Sequence, residues 1–287
     1  MPAIADFPVA YRLSSPSGRP PRCEKEAVEE AFGERARFLG AGAFGETWRI
    51  GDHVAAKIIV EDAFPPERIE REIEATRVDH RNVVNLDEVR EVEIASETRV
   101  ALLFRFVKGS DLASVITNDG KIADAVRLRA LARGLFAGLA AIHAERVIHR
   151  DLKPENIQLR MGSPEKPVIL DLGLAHVADL SSLTTYPSAI GTRAFMPPEV
   201  LRGEHAVARS DVFAVGITLY IAATGGHPWL EEGRQVTNVD FAAMVAAGAP
   251  ALELDDPDLA QLIRACLHPQ AFRRPHASSV AASLKED

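Results

Sequence analysis

Residues 149–156 read His-Arg-Asp-Leu-Lys-Pro-Glu-Asn. The stretch sets five functional side chains at fixed spacing, so chance explains it poorly. Residues 168–173 follow with Val-Ile-Leu-Asp-Leu-Gly, an apolar run that ends in an aspartate and a glycine. The first stretch is the strongest indication of a specific chemistry in the chain.

A glycine-rich pattern lies upstream of both stretches. Residues 40–45 read Gly-Ala-Gly-Ala-Phe-Gly and fit G-x-G-x-x-G, a spacing that dinucleotide-binding folds share. A dinucleotide site needs a helix that begins at the glycines, so that its N-terminus meets the pyrophosphate. Here residues 46–50 alternate as in a strand, and a turn at Gly51-Asp52 leads into another strand. The pattern therefore predicts a hairpin with the glycines at its tip, where backbone N–H groups can approach phosphate oxygens.

Hydrophobic periodicity divides the chain into a β-rich part and a helical part. Strands are predicted near residues 37–39, 46–50, 53–60, 87–94 and 99–107. Helices are predicted at residues 67–78, 210–224, 240–247, 258–267 and 276–284, and a long one follows the apolar stripe over 128–142. Residues 1–33 hold five prolines and are interpreted as a flexible leader with a short acidic helix at 24–32.

Composition limits the classes of function. The chain has 287 residues, 47% of them hydrophobic, and a formal net charge of −8, which disfavours nucleic acid or an anionic membrane surface as partner. The two cysteines, Cys23 and Cys266, are too far apart in sequence to form a zinc-ligand cluster. The N-terminus does not resemble a secretory signal, and no apolar stretch is long enough for a membrane span. We therefore expect a cytoplasmic protein.

With these motifs in this order, the chain resembles the protein kinase superfamily and, within it, the eukaryotic-like serine/threonine kinases. The resemblance covers about residues 35–285. It implies an α+β, bilobal fold: a small β-rich N-lobe with one key helix at residues 34–107, and a larger, mainly helical C-lobe at 108–287. It also implies transfer of the γ-phosphoryl of ATP to serine or threonine hydroxyls of protein substrates, with Mg²⁺ (or Mn²⁺) as the metal.

The same resemblance assigns the catalytic roles. Asp151 would accept or orient the proton of the substrate hydroxyl, and Lys153 would neutralise the γ-phosphate during transfer. Asn156 and Asp171 would be the metal ligands. Lys57, on the strand after the glycine hairpin, would hold the α- and β-phosphates.

The carboxylate partner of Lys57 is expected on the helix at residues 67–78. Glu72 is the leading candidate, and Glu67, Glu70 and Glu74 lie on the same predicted helix. The stretch that follows Glu72 is one residue shorter than the family pattern. Leu172 stands where the family has phenylalanine, and an apolar residue there can still pack behind the site.

The nucleotide pocket is assigned by resemblance to the segment that connects the lobes. Phe104 would guard the back of the pocket, and the backbones of Arg105 and Val107 would bind adenine. Gln158 stands where the family places an apolar residue in the pocket floor, which puts nucleotide affinity or base preference in question. The other residues expected around the nucleotide are Leu39, Gly40, Gly42, Gly45, Thr47 and Ala55.

The segment after Asp171 is expected to carry regulation. Thr184 and Thr185 are the predicted phosphorylation sites, and Arg150 could pair with a phosphorylated residue there. Autophosphorylation through a transient dimer is part of this expectation.

Residues 191–199 resemble the family's substrate-facing loop. In it, Thr192 would bond the catalytic aspartate. Glu199 would pair with Arg274, and Asp211 would support the backbone of the catalytic loop.

Two other classes of function stay open at this point. One is a pseudokinase that acts as a nucleotide- or protein-binding module, suggested by Leu172, Gln158 and the short helix. The other is a small-molecule kinase, which residues 191–199 and Arg274 disfavour because they form a platform for a protein substrate.

Overall fold

The computed structural model describes residues 8–11, 13, 19–42, 45–60, 78–171, 176–177 and 192–285. Its strands are β1 (Pro8–Ala10), β2 (Ala36–Ala41), β3 (Gly45–Ile50), β4 (Val54–Ile59), β5 (Leu86–Ile94), β6 (Glu97–Arg105), β7 (Gly109–Asp111), β8 (Val147–Ile148), β9 (Ile157–Arg160), β10 (Pro167–Ile169), β11 (His176–Val177) and β12 (Gln235–Thr237). Its helices are α1 (Lys25–Phe32), α2 (Leu112–Asp119), α3 (Ala125–Ala144), α4 (Pro198–Leu201), α5 (Ala208–Thr224), α6 (Asn238–Ala246), α7 (Pro257–Cys266) and α8 (Ala277–Ser283). Wherever a predicted strand or helix falls on these residues, its ends agree within three positions. The predicted helix at 67–78 lies outside the described residues, apart from its last position.

Five antiparallel strands form the sheet of the N-lobe, in the order β2-β3-β4-β6-β5. Because side chains alternate across a strand, the register separates two faces. Trp48 pairs with Ala56, and both are buried on the face that α1 covers through Val28. Thr47 pairs with Lys57 on the opposite face, and the Lys57 side chain contacts Asp171.

Within residues 1–33, which we expected to form a flexible leader, strand β1 and helix α1 pack on the rest of the chain. Strand β1 pairs antiparallel with β12, more than two hundred residues away in sequence, and Val9 is fully buried there. Helix α1 packs on the N-lobe sheet. The backbone N–H groups of Arg22 and Cys23 donate to the carboxylate of Glu46, at 2.6 and 3.1 Å. The composition did not predict this packing, because the apolar residues of the segment contact partners that are distant in sequence.

Helix α3 is the centre of the C-lobe. Asp124 caps its N-terminus by accepting the backbone N–H groups of Val126 and Arg127, at 2.8 and 3.1 Å. A Cβ atom at Gly138 would lie only 2.8 Å from the carbonyl oxygen of Asn82, so glycine is required for this close approach. The helix therefore packs directly against the N-lobe segment that precedes β5.

Two backbone hydrogen bonds join the segment before β5 to β10. The N–H of Ile169 donates to the carbonyl of Asn82 at 2.8 Å, and the N–H of Val84 donates to the carbonyl of Ile169 at 2.9 Å. These bonds fix the end of β10, and thereby Asp171, at the boundary of the two lobes. In the described part of the chain, no helix is both long and apolar enough to cross a membrane.

Candidate active site

The loop after β8 carries Asp151, and a buried aspartate of α5 holds its backbone. Asp211 accepts the N–H of His149 at 2.9 Å and the N–H of Arg150 at 2.8 Å, and His143 contacts it at 2.9 Å. Burial alone would raise the pKa of Asp211, but the bond and charge of His143 outweigh it, together with His149 and the Arg150 amide. Its pKa is therefore held below the ordinary value, and the carboxylate stays charged.

His149 connects this loop to the end of β10. Its Nε2–H donates to the carbonyl of Leu170 at 2.9 Å, because a carbonyl can only accept. Its Nδ1 accepts the N–H of Asp151 at 3.3 Å. One buried side chain thus sets the distance between Asp151 and the segment that ends in Asp171.

The carboxylate of Asp151 is bound on one side. Its Oδ2 lies 3.1 Å from the Lys153 ammonium and accepts the Asn156 amide N–H at 3.0 Å. The same Asn156 amide donates to the carbonyl of Asp151 at 2.7 Å. Asp151 Oδ1 is buried and has no hydrogen-bond partner among the described residues. The structure therefore offers one carboxylate oxygen whose accepting capacity is not used by these neighbours.

Lys57 and Asp171 bring the two lobes together, since their side chains meet at 3.0 Å. Asp171 has φ +54°, and Arg150 has φ +69°. Left-handed backbone at residues other than glycine is uncommon and tends to mark functional loops. Glu72, the predicted partner of Lys57, lies outside the described residues.

The predicted nucleotide-pocket residues lie on strands β2, β3, β4, β6 and β9, at the glycine turn and in the segment after β6. Gly45 is buried, Gly42 is exposed and Arg105 is exposed. The remaining predicted residues are all partly buried: Leu39, Gly40, Thr47, Ala55, Lys57, Phe104, Val107 and Gln158. The N–H of Gly42 donates to the carbonyl of Gly45 at 2.8 Å, which closes the glycine turn.

Gln158 has a partner in the pocket. Its Nε2 donates to the carbonyl of Val107 at 3.3 Å, so this bond offsets part of the desolvation cost of the amide. The bond connects the floor of the predicted pocket to the segment between the lobes. An apolar residue could not make it.

The predicted regulatory residues lie largely beyond the described part. Thr184 and Thr185 are outside it, and so is Leu172. The backbone of Thr192 begins a short 3₁₀ turn, Thr192–Phe195. Arg150 is held through its backbone by Asp211.

Glu199 and Arg274 form a buried bidentate pair. Arg274 Nη1 lies 2.7 Å from Glu199 Oε1 and Nη2 lies 2.9 Å from Oε2. Burial by itself would raise the pKa of Glu199, but the bonds and charge of Arg274 outweigh it and hold the pKa below its usual value. The pair ties helix α4 to the segment before α8.

Glu46 and His227 are among the buried polar residues that were not predicted from the sequence. Glu46 is fully buried and accepts the indole N–H of Trp48 at 2.8 Å, besides the two leader amides. Its burial could have been predicted from its position two residues before Trp48, because alternate residues of a strand lie on the same face. His227 is buried beside the 3₁₀ turn, and its Nε2–H donates to the carbonyl of Ala194 at 2.9 Å. No local pattern pointed to His227.

The imidazole of His227 makes the fold sensitive to acid. Its Nδ1 accepts the N–H groups of Trp229 and Leu230, both at 3.2 Å, so a proton on Nδ1 would face two donors. Burial lowers its pKa from 6.5 to about 3. The unfolded chain therefore binds the proton first, and the stability contributed by neutral His227 is present above pH 6.5 and lost as the pH falls toward 3.

We expect the free energy of unfolding to fall by about 2 kcal/mol between pH 6.5 and pH 5 because of this residue, at about 1.4 kcal/mol per pH unit. Denaturant unfolding at a series of pH values measures it. The variant His227→Gln should lack this part of the pH dependence, whereas His205→Gln, at an exposed position, should retain it. Equal pH dependence in wild type and His227→Gln would contradict the assignment.

Oxygen donors suit the predicted metal site. Asp171 offers a carboxylate and Asn156 an amide oxygen, and hard Mg²⁺ prefers such ligands while taking the remainder from phosphate and water. Among the described residues there is no cluster of three histidine, cysteine or acidic side chains that could hold a metal without a substrate. The donor set therefore fits a metal that is bound together with nucleotide phosphates.

Comparison with known proteins agrees with this geometry. A family model described as "Protein kinase domain" matches residues 34–284. "Probable serine/threonine-protein kinase PkwA" of Thermomonospora curvata is 32% identical over 262 residues, covering 87% of this chain and 33% of the relative. Serine/threonine-protein kinases PkaA and PkaB of Streptomyces coelicolor are 31% and 30% identical, over 86% and 87% of this chain and 48% and 61% of their own lengths.

The chain thus spans between about a third and three-fifths of the length of these relatives. The family match covers nearly the whole chain, in the order of motifs found in the sequence. The bilobal arrangement of a five-stranded sheet and a helical lobe is that of the same family. This chain belongs to the protein kinase domain family.

Proposed function

We propose that the chain transfers the γ-phosphoryl of Mg-ATP to serine or threonine hydroxyls of protein substrates. The observation that carries this proposal is the hydrogen bonding of the Asp151 carboxylate. One of its oxygens is held by Lys153 and Asn156, and the other is buried without a partner among the described residues. A substrate hydroxyl is the group that this oxygen can orient and whose proton it can accept.

Lys153 is placed to act on the same transfer. Its pKa is raised, because the nearby carboxylates led by Asp151 outweigh the burial that would lower it. The ammonium therefore stays charged and can neutralise the transferring phosphoryl. Charge stabilisation of this kind supplies much of the catalysis in phosphoryl transfer, since the loose transition state requires little covalent work from the protein.

Asp171 and Asn156 would hold the metal, Mg²⁺ in our proposal, with Mn²⁺ as an alternative ion. When bound, such an ion neutralises the phosphate oxygens on which charge develops. Lys57 lies against Asp171, so the residue proposed for the α- and β-phosphates is adjacent to the residue proposed for the metal. Glu72 completes the set in our proposal.

The adenine would lie in the cleft lined by Thr47, Ala55 and Phe104, against the backbone of Arg105 and Val107. The preference for serine or threonine rests on Lys153 and Thr192. Phosphorylation of Thr184 and Thr185 within a transient dimer, read by Arg150, remains part of the proposal.

The described site gives no support to a pseudokinase, because Lys57 lies against Asp171 and Asn156 lies against Asp151.

Phosphate transfer from radiolabelled Mg-ATP to casein tests the proposal. We expect Asp171→Asn to lower kcat at least about a hundredfold, the cost of removing one strong electrostatic group at a transition state. The variant should also need more Mg²⁺ for half-maximal rate, because one of its proposed ligands loses its charge. Asp255→Asn, at an exposed position, is the matched control and should behave as wild type. An unchanged rate and Mg²⁺ dependence in Asp171→Asn would refute the metal assignment.

A further inference from the structure

The segment before the N-lobe lies along the C-lobe as an added strand. In the register of β1 and β12, Val9 lies opposite Val236 and Ala10 opposite Gln235. The N–H of Gly233 donates to the carbonyl of Tyr11 at 3.0 Å. Beyond it, the N–H of Leu13 reaches Glu232 Oε1 at 3.3 Å. Backbone bonds of this kind bind an extended polypeptide with little regard to its sequence.

Side chains of the segment fill an apolar surface next to β12. Val9 is fully buried and Tyr11 is 2% exposed. The ring of Tyr11 lies 5.0 Å from the His227 ring and 6.4 Å from the Phe195 ring, between centroids. We call the surface formed by Gln235–Thr237, His227 and Phe195 the β12 groove.

The β12 groove adjoins the groups that act on a protein substrate. Phe195 belongs to the 3₁₀ turn of the substrate-facing loop. Glu155, four residues after Asp151, belongs to the short 3₁₀ helix Pro154–Asn156 of the catalytic loop. Burial above all raises the pKa of the Tyr11 hydroxyl, and the charges of Glu232 and Glu155 raise it further. Tyr11 thus packs against Phe195 of the substrate-facing loop.

The groove does not satisfy every polar group of the segment. The hydroxyl of Tyr11 is buried and has no hydrogen-bond partner among the described residues. A buried polar group without a partner weakens the association that buries it. Another extended polypeptide would compete for the same groove. It would need an aliphatic residue and, two positions later, a side chain whose polar group is hydrogen-bonded when buried.

We propose that the β12 groove is the docking site for the polypeptide of the protein substrate, and that residues 8–11 occupy it in cis and compete with that substrate. The proposal rests on the proposed protein kinase function. A substrate can bind only the fraction of molecules whose groove is open, so the segment raises the apparent KM for protein without affecting the ATP cleft.

Loosening the segment in the full chain gives the first test. We expect Val9→Asp and Tyr11→Ala each to lower KM for casein about tenfold, with KM for ATP unchanged. Val126→Asp repeats the first substitution at a position that is 78% exposed and should behave as wild type. The same KM for casein in all four proteins would overturn the proposal.

Peptide binding gives a second test that does not depend on catalysis. A fluorescent peptide of residues 5–15 should bind Val9→Asp at least about tenfold more tightly than wild type, and unlabelled casein should displace it. If the peptide binds and casein displaces it while no variant labels casein, the docking proposal stands and the phosphoryl-transfer proposal fails. A peptide that binds both proteins equally, or that saturating casein leaves bound, would show that the groove does not serve the substrate.

Discussion

Replacing Asp151 by asparagine should lower kcat for casein phosphorylation by about 10²–10⁴-fold, the usual contribution of a positioned general base. The substitution removes the negative charge and the basic oxygen but keeps the shape of the side chain. The remaining amide oxygen can still accept from Lys153 and Asn156. In the wild-type chain these donors lie 3.1 and 3.0 Å from Oδ2. The amide NH₂ would then replace Oδ1, the atom that we propose for the substrate hydroxyl.

Because these neighbours retain an acceptor, the loss should appear in kcat rather than in ATP binding or folding. We expect KM for ATP and the melting temperature to stay close to wild type. Asp119→Asn, at an exposed position of α2, controls for the charge change. A kcat for Asp151→Asn within about threefold of wild type would mean that another group orients the hydroxyl.

Local spacing explains why the catalytic loop could be predicted from sequence. Asp151, Lys153 and Asn156 lie within six positions, so a short turn is enough to bring them together. The pairing of Lys57 with Asp171 spans 114 positions, and only the family resemblance suggested that these residues are neighbours. Periodicity predicted the strands and helices because alternation and three-to-four spacing follow directly from which face is buried.

The packing of residues 8–11 could not be predicted in this way. A three-residue strand has too few positions to show alternation, and its register with β12 depends on a partner more than two hundred residues away. Glu46 shows the same difficulty. Its burial becomes favourable only because backbone N–H groups of Arg22 and Cys23 reach it, and those come from a segment whose composition suggested no packing.

Removing one member of the buried Glu199–Arg274 pair should destabilise the C-lobe far more than the loss of a surface ion pair would. All five N–H groups of the Arg274 guanidinium are used. Beyond the two bonds to Glu199, they donate to the carbonyls of His268 at 2.7 Å, Arg209 at 3.0 Å and Pro269 at 3.1 Å. The guanidinium also lies over the ring of Phe213, at 4.7 Å from its centroid.

We expect Arg274→Ala to lower the free energy of unfolding by about 3–5 kcal/mol, because it leaves the Glu199 carboxylate buried without its counter-charge. At about 2–4 °C per kcal/mol for a chain of this size class, the melting temperature should fall by roughly 10 °C. Arg274→Lys should recover little of the lost free energy of unfolding, since one ammonium cannot make the bidentate bonds of a planar guanidinium. Arg273→Ala, at the exposed neighbouring position, should cost less than about 0.5 kcal/mol.

The double variant Glu199→Gln/Arg274→Met separates the cost of an unpaired charge from the net contribution of the pair. Removing both charges leaves no buried ion, so its destabilisation should be smaller than the sum of the two single changes. The Glu199 carboxylate is charged throughout the neutral range, since its pKa is held below the ordinary 4.5. The comparison made at pH 7 therefore measures the full pair. Additive single and double changes would show that the carboxylate and guanidinium are stabilised by their other partners, among them Ser210 at 2.8 Å from Glu199 Oε1, rather than by each other.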